Sequence, residues 1–174
     1  RIIASLKEQQ VSQVAFFVVT GPINKDNRQR LEDYVSAGHL LANHSHTHQR
    51  IHVMGASAYM EDVKTADSIL STYSGYVRWF RYPFLDEGRT ITARDSIREG
   101  LHKLHLTNGY VTVDNYDWYL NHLLKKAKDQ NKEINFEVLR DIYLGHIYNS
   151  ILFYDKIARK HLDRSPKHVL LLHE

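Results

Sequence analysis

The sequence predicts an α/β fold, and three observations support that expectation. Short apolar runs alternate with longer amphipathic ones, glycine or proline interrupts the helical runs near positions 38, 75 and 166, and several apolar runs end on a polar residue. Taken in order, Ile2 to Gln10 reads as a helix and Val14 to Thr20 as a buried strand. Asn27 to Ala37 reads as a helix stopped by Gly38 at the position after its C-cap, and Leu40 to Asn43 as a short strand. Ser57 to Tyr73 is a further helix ended by Gly75, and Val77 to Phe80 a strand. Thr92 with Asp95 three residues later has the form of a capping box, opening a helix to about Leu104. Asn108-Gly109 is expected to turn the chain into a strand over Tyr110 to Val113.

From Tyr119 to His161 the pattern is helical twice over, with a polar break around Asp129 to Glu133. In the second helix Leu139, Ile142, Tyr143, His146, Ile147, Ser150, Ile151, Tyr154, Ile157, Ala158 and His161 recur at helical spacing as a mostly apolar stripe. Ser165-Pro166 breaks it, and His168 to Leu172 reads as a last buried strand. Repeated strand-then-helix units imply a mainly parallel sheet covered by helices, either closed into a barrel or open. No repeat, linker or low-complexity tract is evident, so residues 1–174 read as a single domain.

Composition narrows the function classes. With 43% hydrophobic and 25% charged residues the chain is that of an ordinary globular protein. Its longest apolar run, Val14 to Val19, is far short of the roughly 20 residues a spanning helix needs, so it is not expected to be an integral membrane protein. Arg1 leads into a mixed stretch with no signal-peptide pattern. The absence of cysteine excludes disulfides and thiolate chemistry. The 23 basic and 20 acidic residues are interspersed, and the one basic run, Lys125, Lys126, Lys128 and Lys132, reads as a solvated face, so nucleic acid is not an expected partner.

The 12 histidines raise the prospect of metal or acid/base chemistry, and also of accidental motifs. His44 and His48 lie four apart, a spacing that on a helical turn puts both imidazoles within reach of one zinc-like ion, but His48 with His52 shows the same spacing. The context of His44 is more telling. The run Leu40 to Asn43 ends at His44, Val77 to Phe80 at Arg81, Tyr110 to Val113 at Asp114, and His168 to Leu172 at His173. In parallel α/β folds such strand ends share the face on which active sites are built. Taken singly, Arg81 reads equally as an ion-pair residue, Asp114 as a helix cap, Trp118 as core and His173 as a frayed end.

Taken together, these segments resemble the polysaccharide deacetylases of the NodB-homology type, carbohydrate esterase family 4. His44-Ser45-His46-Thr47-His48 is similar to the family's His-Ser/Thr-x-x-His metal motif, and Val14 to Val18 to its second strand. Arg81-Tyr82-Pro83-Phe84 resembles its Arg-x-Pro-aromatic motif, Asp114-Asn115-Tyr116-Asp117-Trp118 its Asp-x-x-Asp-Trp motif, and Leu171-Leu172-His173 its terminal Leu-x-His. The resemblance implies a distorted (β/α) barrel, incomplete at both ends in this chain, with a helical insertion around 119–165.

It also implies a metal-dependent hydrolase that removes N-acetyl groups from an N-acetylated polysaccharide such as peptidoglycan or a chitin-like glycan. A divalent metal, zinc by family habit, would polarise the acetamide carbonyl for attack by water. By the same resemblance His44 and His48 would be metal ligands and His173 the acid that protonates the leaving amine. Asp117 would hold that imidazole, and Arg81 would orient the catalytic base. The Phe84 N–H would stabilise the oxyanion, with Trp118, Leu171 and Asp114 contributing to the oxyanion and substrate pocket. The partner is then an N-acetylated glycan, and the implied location is extracytoplasmic, periplasmic or secreted.

The family's Thr-Phe-Asp-Asp motif, which carries the catalytic base and a third ligand, would precede Arg1 and is not among these residues. The 174-residue chain is therefore expected to bind metal weakly and to be inactive by itself. Two alternatives stand beside the hydrolase: a non-catalytic glycan-binding or scaffold domain of the same fold, and a related metal-dependent amidase acting on a small amide.

Overall fold

The computed structural model describes residues 2–173. Its tertiary contacts divide the chain into two compact units, the first ending at Gly109 and the second beginning at Tyr110.

The first unit is a four-stranded parallel sheet with its helices. Helix α1 (Ile2–Glu8) leads into β1 (Ala15–Val18), α2 (Arg28–Ser36), β2 (Leu40–Asn43), the short α3 (Ile51–Met54) and α4 (Ala56–Leu70). Strand β3 (Tyr76–Phe80), a 3-10 turn at Pro83–Leu85, α5 (Ile91–Lys103) and β4 (Thr107–Asn108) complete it. The strands lie in the order β1-β2-β3-β4, all parallel. This singly wound order is the one a (β/α) barrel uses, whereas a doubly wound sheet reverses order at its midpoint.

The helices seal the sheet through two apolar clusters. Leu31 and Tyr34 of α2 pack with Leu41 of β2 and with Phe16 and Val18 of β1, and the Phe16 and Tyr34 rings stack at 3.9 Å. Tyr59 and Val63 of α4 and Ile97 and Leu101 of α5 pack with Phe80 of β3, Tyr82 and Leu106. Helix α4 shows why it forms: Tyr59, Val63, Ala66 and Leu70 recur on one buried stripe. Asp62, a carboxylate, shares that stripe.

Two expectations for this unit are corrected. The cap of α5 is Thr90, not Thr92: the Thr90 hydroxyl accepts from the Ala93 N–H at 3.2 Å, and Thr92 lies inside the helix. The fourth strand lies at Thr107–Asn108, before the expected Asn-Gly turn, and not over Tyr110 to Val113. Gly109 accounts for the shift. Its N–H donates to the Phe80 carbonyl at 2.7 Å, and a Cβ there would sit 2.6 Å from the Phe17 ring, so a side chain at this position would require that ring to move.

The second unit comprises the segment 110–116, α6 (Asp117–Asp129), α7 (Phe136–Leu162) and the segment that follows. Asn135 caps α7, its side-chain oxygen accepting from the Glu137 and Val138 N–H groups at 3.1 Å. The expected stripe holds at Leu139, Tyr143, His146, Ile147, Ser150, Ile151, Tyr154 and Ala158, which are half-buried, while Ile142, Ile157 and His161 are exposed. His168 to Leu172 does not form a strand. Val113 and Leu170 make one parallel bridge, because the Thr112 hydroxyl takes the Val169 N–H and ends the ladder.

No helix among the described residues is long and apolar enough to cross a membrane.

Candidate active site

In the first unit, β2 and β3 are adjacent and parallel, so the residues that follow them emerge at the same sheet edge. His44 follows β2 and Arg81 follows β3. Nδ1 of His44 lies 2.8 Å from the Arg81 carbonyl oxygen. A carbonyl only accepts, so Nδ1 carries the proton and Nε2 is the basic nitrogen of the ring.

The segment from His44 to His48 is not the helical turn that the spacing suggests. Ser45 (φ 68°) and His48 (φ 56°) adopt left-handed backbone, which a right-handed helix cannot propagate. Side chains close the loop instead. Asn43 Oδ1 accepts from the Ser45 N–H at 2.8 Å, and Ser45 Oγ accepts from the His48 N–H at 3.0 Å. The Asp62 carboxylate accepts from the N–H groups of His46 at 2.8 Å and Thr47 at 3.2 Å. The N–H groups of Thr20 and Gly21 donate to the carbonyls of Ser45 and His46, and the His46 ring is engaged by the Thr20 hydroxyl at 2.9 Å. The outcome is that the His44 and His48 rings approach edge to face, with centroids 4.9 Å apart.

Two imidazoles at that separation, one with its tautomer set by a backbone carbonyl, are chemically suited to a divalent ion such as zinc. They make a partial donor set, since no cluster of three or more His, Asp or Glu side chains able to hold a metal occurs among the described residues.

Arg81 is 7% exposed and forms no ion pair among the described residues. Its Nε–H donates to the Gly109 carbonyl at 3.0 Å and its guanidinium lies 3.7 Å from the centre of the Phe17 ring. Burial pushes the Arg81 guanidinium down to about 10, so it remains charged at neutral pH. Phe84 and Leu85 follow with positive φ (58° and 53°), and the Phe84 N–H makes no hydrogen bond among the described residues. The Phe84 ring is half exposed and meets the His48 ring at 4.7 Å.

In the second unit, Asp117 opens α6 and is 3% exposed. Its carboxylate accepts from the Trp118 N–H at 2.8 Å, the His173 N–H at 2.6 Å and His173 Nδ1 at 2.8 Å. The last bond places a proton on Nδ1 of His173 and leaves Nε2 as the ring's other nitrogen, away from Asp117. Asn115 braces the pair. Its Oδ1 accepts from the Asp117 N–H at 3.0 Å and its Nδ2 donates to the Leu171 carbonyl at 2.6 Å. Asp117 and His173 line a cavity of about 360 Å³ walled by Leu120, Leu124, Phe136, Leu139 and Tyr143. Burial, and then the Asp117 charge, push the Tyr143 phenol up.

Trp118 and Leu171 are not in that wall. Trp118 is half exposed, between Tyr116 and Tyr119, which removes its reading as core. The Leu171 N–H donates to the Val113 carbonyl at 3.1 Å. Asp114 does not cap α6, whose N-cap is Tyr116 with no side-chain bond. Sequence reasoning missed Asp62 and Tyr143 as site residues. A carboxylate on the apolar stripe of α4 was the available signal for Asp62; nothing in the sequence singled out Tyr143 from its stripe.

Comparison with known proteins completes the picture. The chain resembles a family 4 carbohydrate esterase from Streptomyces lividans, solved with acetate, at 23% identity and a TM-score of 0.57, covering 68% of this chain and 58% of that one. It resembles a CE4 family pseudoenzyme from Bacillus anthracis at 23% identity and a TM-score of 0.56, covering 74% and 44%. It also resembles the polysaccharide deacetylase Bc1974 from Bacillus cereus at 17% identity and a TM-score of 0.67, covering 99% and 71%. The chain thus spans less than two thirds of the first two, and at these identities the likeness shows the fold, that of the distorted NodB-type barrel. No curated protein matched the chain. The family model for polysaccharide deacetylase matches residues 1–108, ending where the first unit ends and short of Asp117 and His173. With more than half of its length matched by that model, the chain belongs to the polysaccharide deacetylase family.

Proposed function

We propose that this chain carries the metal-binding and acid-catalytic parts of an enzyme that removes N-acetyl groups from an N-acetylated glycan. The observation that carries this reading is the His44–His48 pair, with rings 4.9 Å apart and the His44 proton committed to the Arg81 carbonyl. A divalent ion such as zinc, held by His44 and His48, would supply Lewis-acid polarisation of the acetamide carbonyl and an activated water.

The chain's own residues have separable tasks. The Phe84 N–H, with no partner among the described residues, is available to an oxygen that gains negative charge as the carbonyl is attacked. Nε2 of His173 would deliver a proton to the departing sugar amine, while Asp117 holds the ring through Nδ1 and balances its charge when protonated. Arg81, buried and without an acidic partner among the described residues, is available to orient a carboxylate base. Trp118, Leu171 and Asp114 remain proposals for the substrate pocket by family resemblance. An extracytoplasmic glycan such as peptidoglycan or chitin is the substrate setting that goes with this reading.

The test is acetate release from chitin oligomers and from peptidoglycan by a protein that joins this chain to the family's Asp-Asp strand, with added zinc, beside its His173→Ala variant. Release that falls by about 10² to 10⁴ in the variant supports the deacetylase reading. A second reading, a glycan-binding domain without turnover, is favoured by the partial donor set. It predicts saturable binding of the same oligomers, no acetate release, and no effect of His173→Ala on binding.

A further inference from the structure

We propose that Arg50 forms a subsite beside the His44–His48 pair for a carboxylate carried by the N-acetylated sugar, so that the substrate is an acidic glycan. This inference rests on the deacetylase or glycan-binding reading above and adds to it a substrate class.

The argument starts from where Arg50 is held. Its backbone is the extended N-cap of α3, with its carbonyl accepting from the Val53 N–H at 3.0 Å. From there the guanidinium reaches over Phe84, 3.9 Å from the ring centre, and Phe84 in turn touches the His48 ring at 4.7 Å. One aromatic ring therefore separates the Arg50 cation from the His48 imidazole, a spacing on the scale of one sugar residue.

The local ion pair does not use the guanidinium up. Asp86 Oδ2 lies 3.7 Å from Arg50 Nη1, beyond hydrogen-bonding distance, and 3.8 Å from His52 Nδ1. Asp86 is committed elsewhere through Oδ1, which accepts from the Gly88 N–H at 3.0 Å. Arg50 makes no side-chain hydrogen bond among the described residues, and its side chain is 41% exposed. Contact with the ring face holds the guanidinium without spending its N–H donors, which suits two-point recognition of a planar anion. A singly charged carboxylate fits better than a dianionic phosphate, because Asp86 sits close by and repels the greater charge.

The experiment measures binding of N-acetylmuramic acid, its uncharged methyl ester and methyl N-acetylglucosaminide to the zinc-supplemented chain by calorimetry, with Arg50→Gln and Arg50→Lys alongside. The acid should bind at least about tenfold more tightly than the ester. Arg50→Gln should erase that preference while leaving ester affinity unchanged, and Arg50→Lys should keep only part of it. Equal affinity for acid and ester, or a preference that survives in Arg50→Gln because the carboxylate sits on the metal, overturns this inference and leaves the glycan reading standing. Failure of all three sugars to bind overturns both.

Discussion

Nδ1 of His44 donates to the carbonyl oxygen of Arg81 at 2.8 Å, joining the C-terminal ends of two adjacent parallel strands. Because the partner is backbone, the orientation of the imidazole is set by the sheet itself. Replacing either His44 or His48 by alanine should lower zinc affinity by at least about 10- to 100-fold, the loss that follows removal even of an outer hydrogen-bond partner. Titration with a competing chromophoric chelator reads this directly, and wild-type affinity in either variant would remove both histidines from any metal role.

The His44 loop depends on a carboxylate far away in sequence. Asp62 is 7% exposed and accepts from the N–H groups of His46 and Thr47. Asp62→Ala leaves two N–H groups short of their acceptor and should destabilise the chain by about 2–3 kcal/mol in urea denaturation. Zinc affinity should fall in parallel. A stable variant with unchanged zinc binding would show that the loop is set by its local Asn43 and Ser45 turns alone.

Gly21 lies against the same loop, its N–H donating to the His46 carbonyl at 2.8 Å. A Cβ there would meet the His46 carbonyl oxygen at 2.6 Å, and that atom is backbone, so it cannot swing aside. Gly21→Ala should therefore cost about 1–3 kcal/mol, the usual penalty for overpacking, and should perturb His44 and His48 resonances rather than those of distant helices. A melting temperature equal to the parent's would argue that the β1 end can yield.

Asp155 sets an acid limit on the second unit. Its carboxyl is held down at about 2 by hydrogen bonds from Ser165 first, then Arg159, then His168. A depressed folded-state value means that the stabilisation is present above the ordinary value of 3.8 and is lost as pH falls toward about 2. Amide exchange at Val169, whose N–H is held by Thr112 next to His168, should accelerate across that window. Asp155→Asn should flatten the dependence; a steep acid transition that persists in the variant would assign it to other carboxylates.

Much of the first unit was legible because its determinants are local. The β2 boundaries at Leu40 and Asn43 follow from the apolar run Leu40-Leu41-Ala42 between Gly38 and the histidine motif, and the α2 and α4 stripes follow from helical periodicity. The misplacements at Thr92 and at Tyr110 to Val113 arise from contacts that periodicity does not register. Thr90 competes successfully for the cap by reaching the Ala93 N–H, and the β3–β4 ladder ends at Asn108, where Gly109 follows close against the Phe17 ring.

By itself, the sequence determined the α/β class, the parallel strands, the family, and the placement of His44 and Arg81 just beyond strand ends. Only the tertiary structure decided that His44 and His48 converge through a left-handed loop clamped by Asp62, that Arg81 is buried over Phe17 without an ion pair among the described residues, and that Arg50 lies on Phe84. The physical reason is range. Periodicity and caps act within a few residues, whereas the Asp62 clamp bridges 16 residues and the His44–Arg81 bond 37, and bonds of that span exist only once the sheet has brought their ends together.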